Sequence, residues 1–397
     1  MNRWLKYAIR SIGVVLVIVG ITAVIFWDRL ERLYQVNTLF SEEKIVTNFS
    51  DMRSMFEATD IHRAGPIFNF KKAPQPLPET FQAEIGSEKV TDFLTRTRTT
   101  SLLVIRDDKI TYEEYFLDTK PSDLRVSWSI AKSYLSTLVG IALHDGAIEN
   151  LDDPVVKYAP LLKGSAYETA TIRNVATMSS GVKFNEDYLD YDSDINRMGR
   201  ALALGSSLDQ FAADLKETVA EPGRNWRYVS IDTHVLGMVL RGATGQPVAD
   251  YMRDKLWNRI GVEADAYYIT DSHDAAFVLG GLNVRTRDYA KLGRLFLRDG
   301  EWEGEQVVPA EWVRESTASV APPVAENNGG FGYGYQWWQP PRADDEFFGI
   351  GVYGQYLWVD RKAGVIIVKT SANRNFRENS SRPKRDSIAL FRAISRP

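Results

Sequence analysis

Residues 129–143 constrain the fold of this chain more than any other stretch. The sequence runs from Ser129-Ile130-Ala131-Lys132 through Ser133-Tyr134-Leu135-Ser136-Thr137-Leu138-Val139-Gly140 to Ile141-Ala142-Leu143. Wound as an α-helix, its apolar residues from Leu135 to Leu143 cover nearly every face, so the helix has to lie at the centre of a domain. Positions i and i+3 share a helix face, so the spacing predicts the Ser129 hydroxyl beside the Lys132 amine. Ser129 would stand in the first turn, where free backbone N–H groups favour developing negative charge. A serine so placed is either a nucleophile beside its base or a capping residue beside a solvated lysine. Residues further along the chain have to decide between the two.

Composition removes several classes of function. The chain has 397 residues, 44% hydrophobic and 25% charged, enough for one large or two ordinary domains. Its 48 basic and 52 acidic residues leave a net charge of -4, with no basic cluster interleaved with aromatics, so no nucleic-acid partner is expected. There are 0 cysteines, which excludes disulfides, thiolate metal sites and a thiol nucleophile. The 4 histidines, His62, His144, His234 and His273, form no His-x-x-x-His or His-Glu-x-x-His pattern, and no metal or cofactor is expected. Without a Gly-x-Ser-x-Gly elbow, Lys132 is the nearer candidate base for Ser129.

Read in order, the chain opens with Arg3, Lys6 and Arg10 and then runs free of charge from Ile12 to Trp27. A basic start before an apolar run, leaving through the bulky and charged Phe26-Trp27-Asp28-Arg29, predicts an uncleaved membrane anchor over residues 1–27. The remainder would then lie on the periplasmic, extracytoplasmic side of the inner membrane. Residues 28–80, with Pro74, Pro76 and Pro78, read as a connecting arm, and the domain proper as 81–397. Ser101–Ile105 and Ile110–Phe116, separated by Arg106-Asp107-Asp108-Lys109, predict a hairpin. A helical block over about 147–271 follows the Ser129 helix, and the tail returns to strands at Gly332–Trp338, Gln355–Asp360 and Val365–Ser371, closed by a helix over Arg385–Ile394. The fold class this predicts is α+β: an antiparallel sheet built from both ends of the chain, flanked by helices, with an inserted all-α domain and an N-terminal membrane helix.

The unperturbed lysine pKa of about 10.4 means that Lys132 is a base only where burial disfavours its charge. A tyrosine could carry the proton onward. Tyr228, after the loop former Pro222-Gly223 and before the apolar helix from Ile231, is placed either for that role or to pack the start of the helix. Oxyanion donors would be the N–H of Ser129 and one from Gly349-Ile350-Gly351-Val352-Tyr353-Gly354, a segment that can equally be a plain glycine-rich turn.

These motifs, in this order, resemble the class C β-lactamase, penicillin-binding and esterase superfamily of Ser-x-x-Lys serine hydrolases, and within it the nylon-oligomer (aminohexanoate-dimer) hydrolase branch. The resemblance covers residues 80–397. Ser129-Ile130-Ala131-Lys132 matches the nucleophile motif, Tyr228-Val229-Ser230 the Tyr-x-Asn/Ser motif, and Gly349-Ile350-Gly351 stands where the family has Lys-Thr-Gly or His-x-Gly. The framework segments Thr171-Ile172-Arg173, Met178–Gly181 and Thr286–Tyr289 agree.

The resemblance implies Ser129 as nucleophile, Lys132 as base, Tyr228 as proton relay, and Ser129 and Val352 as oxyanion donors. It implies Tyr188, Ser230, Gly349, Gly351 and Tyr353 on the substrate side, with Tyr188 reaching the scissile amide. The substrate expected is a small-molecule or short peptide-like amide or ester. The third motif lacks the family's cation, so weak turnover of β-lactams is expected. The rival readings are a penicillin-binding D-alanyl peptidase and a tethered binding module without turnover.

Overall fold

The apolar run forms the helix Ala131–His144, in which every residue from Ala131 to Ala142 is buried. A short 3-10 turn, Trp128–Ile130, leads into it. Its neighbour, the helix Ser230–Thr244, is buried from Ser230 to Leu240 and ends at Gly245, whose φ of 68° is the left-handed cap that glycine adopts without strain. Gly140 lets the indole of Trp312 lie directly on the central helix, since a Cβ there would stand 2.3 Å from its Cγ.

We describe residues 3–25, 27–323 and 329–396 from a computed structural model. Among these, an eight-stranded sheet runs in the order Gly332–Tyr333, Trp338–Gln339, Glu346–Gly351, Gln355–Asp360, Val365–Ser371, Thr99–Arg106, Lys109–Tyr115 and Lys71–Lys72. All pairings are antiparallel except that of Lys71–Lys72 with Lys109–Ile110. Both ends of the chain thus build one sheet, as the sequence predicts. The period of two splits the central strands between two apolar layers. Leu103, Ile105, Leu357, Val359, Ile366 and Val368 belong to the larger core, on the face covered by the helix Thr286–Leu297. Leu102, Val104, Tyr356, Trp358, Val365 and Ile367 face the closing helix Glu378–Ser395. Each fully buried side chain of this size contributes roughly 1.5–3 kcal/mol, so the sheet is stabilised from both sides.

Two N-terminal features differ from expectation. Among the described residues no helix is long and apolar enough to cross a membrane, which overturns the expected anchor, the membrane partner and the inner-membrane, periplasmic placement. The helix Arg3–Ile25 carries Arg3, Lys6 and Arg10 in its first half. The charge-free remainder, residues 12–25, extends only about 21 Å at ~1.5 Å per residue, against a hydrocarbon core of ~30 Å. Met1, Asn2 and Phe26, also read as part of the anchor, lie outside the described residues.

The segment read as a connecting arm is built into the body of the protein. Ile45, Phe49, Met52 and Ile61 are buried in the larger core, and the strand Glu57–Ile61 pairs with Ala266–Thr270. The latter strand lies inside the block read as helical, whose helices run from Ile172–Ala176 to Arg253–Trp257. Ile172–Ala176 opens with a reciprocal cap: the Thr171 side chain accepts from the Asn174 N–H, and the Asn174 side chain from the Thr171 N–H.

Candidate active site

The helix mouth brings the two predicted side chains together. Lys132 is 1% exposed. Its Nζ donates to Ser129 Oγ at 3.1 Å, to Ser230 Oγ at 3.1 Å and to the carbonyl of Leu279 at 2.8 Å. All three partners are neutral oxygens. Burial therefore goes uncompensated and pushes the amine down to about 7, with the charge of Glu186 opposing it. Ser129 is half-buried and opens onto two adjoining cavities of about 310 and 220 Å³. Trp128, just before it, holds φ at 44°, a strained conformation for a bulky residue and one that recurs where a nucleophile has to be aimed.

Tyr228 is held by its loop and its ring. The backbone N–H groups of Gly223 and Arg227 donate to the carbonyls of Ser179 and Met178, at 2.7 and 2.9 Å. The phenol ring stacks on Trp338 with centroids 5.5 Å apart and meets Tyr333 edge-on at 6.2 Å. Burial pushes its hydroxyl well above the usual phenol range, and the hydroxyls of Ser129 and Ser230 pull it back. Tyr228 therefore keeps its proton at neutral pH, with Lys132 Nζ 5.5 Å from its ring centre.

Ser230 links the lysine to a carboxylate. Its hydroxyl accepts from Lys132 and donates to Glu186, and its backbone N–H donates to Glu186 Oε2 at 2.8 Å. The Tyr188 hydroxyl also donates to Glu186. Tyr188 lines both cavities, and its hydroxyl is engaged with Glu186.

On the sheet side, Gly351 and Val352 line the cavity beside Ser129. A Cβ on Gly351 would stand 2.5 Å from the Ser127 carbonyl and 2.9 Å from Trp128 Cβ, so glycine is what lets this strand reach the nucleophile turn. Gly349 lies two residues back with its α-carbon turned to Ser133 Oγ and Ile130, away from the cavities, and Ile350 lines the cavity in its place. Tyr353 stacks on Phe40 at 4.8 Å and forms a wall of the larger cavity.

A cavity-facing serine with a buried lysine behind it and a tyrosine beside it can perform acyl transfer. Residues 87–392 match the beta-lactamase family. The chain belongs to that family. It is similar to the 6-aminohexanoate-dimer hydrolase of Paenarthrobacter ureafaciens, 31% identical over 291 residues that cover 70% of this chain and 74% of that protein. A solved Bacillus anthracis structure, provisionally assigned as a 6-aminohexanoate-dimer hydrolase, superposes with a TM-score of 0.77 at 23% identity, covering 90% of this chain and 95% of its own. The octameric penicillin-binding protein homologue of Pyrococcus abyssi superposes with a TM-score of 0.58 at 18% identity, over 77% of this chain and 75% of that one.

For this beta-lactamase-family chain, sequence reasoning misses two charged residues. Glu186 lies two residues before Tyr188, but its contact with Ser230 spans 44 positions. Lys384 lines the smaller cavity with Ser129 and Tyr228, a cation supplied from outside the third motif. It arrives from the closing helix, where only an arginine- and lysine-rich turn, Arg382-Pro383-Lys384-Arg385, marks it.

Proposed function

We propose that this chain is a serine hydrolase that cleaves an amide or ester bond through an acyl-enzyme on Ser129. One observation carries the reading: a buried amine with no carboxylate hydrogen-bonded to it contacts a cavity-facing serine hydroxyl. With Lys132 near 7, a large share of the molecules at neutral pH hold it neutral, as a base requires.

Ser129 Oγ bonds to the substrate carbonyl carbon while its proton passes to Lys132 Nζ. The N–H groups of Ser129 and Val352 receive the oxyanion. The tetrahedral adduct collapses, the carbonyl-to-leaving-atom bond breaks, and Tyr228 passes a proton to the departing nitrogen or oxygen, replenished from Lys132. Water then attacks the acyl-enzyme, giving up a proton along the same path, and the acid leaves with Ser129 restored. Ser230 and Glu186 position Lys132 and Tyr228 from behind.

The test is fluorophosphonate labelling of the full chain followed by peptide mapping. Modification at Ser129, lost in Ser129→Ala, is the expected result. Labelling elsewhere, or none together with no ester turnover, removes the proposal.

A further inference from the structure

The Lys132 amine has three hydrogen-bond partners but, as a base, only two hydrogens to give. Protonated, Nζ donates to all three: the Leu279 carbonyl at 2.8 Å, and Ser230 Oγ and Ser129 Oγ at 3.1 Å each. Neutral, it keeps two N–H groups and one lone pair, so one of the three contacts has to reverse. The carbonyl can only accept. Either serine hydroxyl is able to donate to the lone pair, and only Ser129 makes the amine useful. A lone pair aimed at Ser230 is turned away from the nucleophile.

Glu186 decides between the two serines. Its carboxylate accepts from the Ser230 hydroxyl, from the Ser230 backbone N–H at 2.8 Å and from the Tyr188 hydroxyl. An ionised carboxylate has no hydrogen to give, so the single hydrogen of the Ser230 hydroxyl is committed to it. Ser230 Oγ is left with lone pairs alone to present to Lys132. The backbone contact holds the carboxylate in place, because Ser230 opens the helix Ser230–Thr244, where the first N–H groups have no partner within the helix. Neither Glu186 nor Lys132 lines either cavity, so the arrangement works on the base and not on the substrate.

Resting on the hydrolase reading, we propose that Glu186 is a positioning residue: by keeping Ser230 an acceptor, it turns the lone pair of neutral Lys132 onto the Ser129 hydroxyl. Ser129 then donates its hydrogen bond along the line its proton follows when Oγ attacks a carbonyl carbon.

Glu186→Gln reverses the arrangement without changing its shape. An amide has one accepting end and one donating end. With its oxygen toward Ser230 Oγ, its NH2 meets the Ser230 backbone N–H, donor against donor. Turned over, it satisfies the backbone but donates to Ser230 Oγ, whose own hydrogen then swings to the Lys132 lone pair.

The experiment measures the rate of fluorophosphonate labelling at Ser129, and kcat and KM for p-nitrophenyl butyrate, in the full chain at pH 9. That is about two units above the Lys132 value, so the amine is neutral in every variant. Glu186→Gln should slow labelling and kcat about a hundredfold, the low end of what a general base contributes, with KM within about twofold. Ser230→Ala removes an acceptor but no competitor, and should cost no more than about tenfold. The double variant decides. Deleting the competing hydroxyl should make it at least about tenfold faster than Glu186→Gln alone, a coupling of the size that contacting residues show. A purely structural role leaves the double variant as slow as Glu186→Gln or slower, and that result overturns the proposal. Glu186→Gln rates within about threefold of the parent do the same. Should Glu186→Gln not fold, Glu186→Ala, which also frees the Ser230 hydrogen, and its combination with Ser230→Ala carry the same comparison. If the parent is labelled at Ser129 but the variants do not separate in this way, this inference fails alone. If the parent is neither labelled nor active on the ester, the hydrolase reading fails with it.

Discussion

Two lysines in this protein are buried to the same degree, and their surroundings give them different meanings. Lys132 and Lys369 are each 1% exposed, each is pushed down to about 7 chiefly by burial, and each donates to a serine hydroxyl, Ser129 at 3.1 Å and Ser371 at 2.5 Å. Lys132 and its serine stand at a helix mouth that opens on two cavities. Lys369 and Ser371 stand on a central strand, with Nζ between the rings of Phe93 and Tyr356 at 5.8 and 5.9 Å, and Ser371 is 0% exposed. A lowered amine pKa therefore marks chemistry only where its partner oxygen can be reached by a substrate carbonyl.

The sharpest way to break this comparison is at the serines. Ser129→Ala should reduce ester hydrolysis by at least about a thousandfold, since it removes the nucleophile, while Ser371→Ala should leave kcat/KM within about twofold. Equal losses in steady-state assays would erase the distinction.

At the lysines, Lys132→Met should cost roughly 10²–10⁴ in kcat, the usual worth of a general base. Lys369→Met should leave kcat unchanged and raise the thermal midpoint, because an apolar side chain replaces a buried amine with no carboxylate partner. A kcat loss in Lys369→Met would show that the second pair also serves turnover.

Tyr228→Phe should lower kcat by about a hundredfold with KM little changed, since the relay matters in the transition state and not in binding.

The pH dependence sharpens the comparison further. Lys132 has to be neutral to accept a proton, so kcat/KM should fall about tenfold per unit below pH 7 and level off above it. Stability moves in the same direction. Between about 7 and the ordinary lysine value of 10.5, each buried amine is neutral when folded and protonated when unfolded. The unfolded state then binds more protons, and stability rises with pH across that window. Urea titrations at pH 7.5, 8.5 and 9.5 should show wild type gaining about 1.4 kcal/mol per unit over Lys369→Met. Parallel curves would mean that Lys369 is not neutral in the fold.

The Ser129–Lys132 pairing is legible in sequence because it is local: helical spacing sets it, and apolar neighbours on all faces announce the burial that makes the lysine a base. The strands of the sheet are legible for the same reason, through their period of two. Ser230 is legible as the end of a short motif, although its link to Glu186 is not. Lys384 is hidden because its place beside Ser129 depends on how the closing helix docks on the sheet, 255 positions away in sequence. Gly349 and Ile350 show how finely register matters, since one step along a strand exchanges the face turned to the helix for the face turned to the cavity. The apolar stretch near the start misleads because composition alone does not weigh the three basic residues in the first half of the helix against the length that remains.

The strip from Val36 to Phe40 walls the larger cavity, yet it precedes residue 87, where the match to the family begins. Ser129, Lys132 and Tyr228 all come after that point. One part of the cavity wall therefore sits on a stretch of the gene separable from the reactive residues. A recombination within the first eighty codons could exchange the wall for another and change what the cavity admits, without altering a single codon of the catalytic apparatus. A truncated version beginning at the family boundary would lose that wall and the edge strand Glu57–Ile61 with it. Libraries aimed at new substrates are best directed at this head segment.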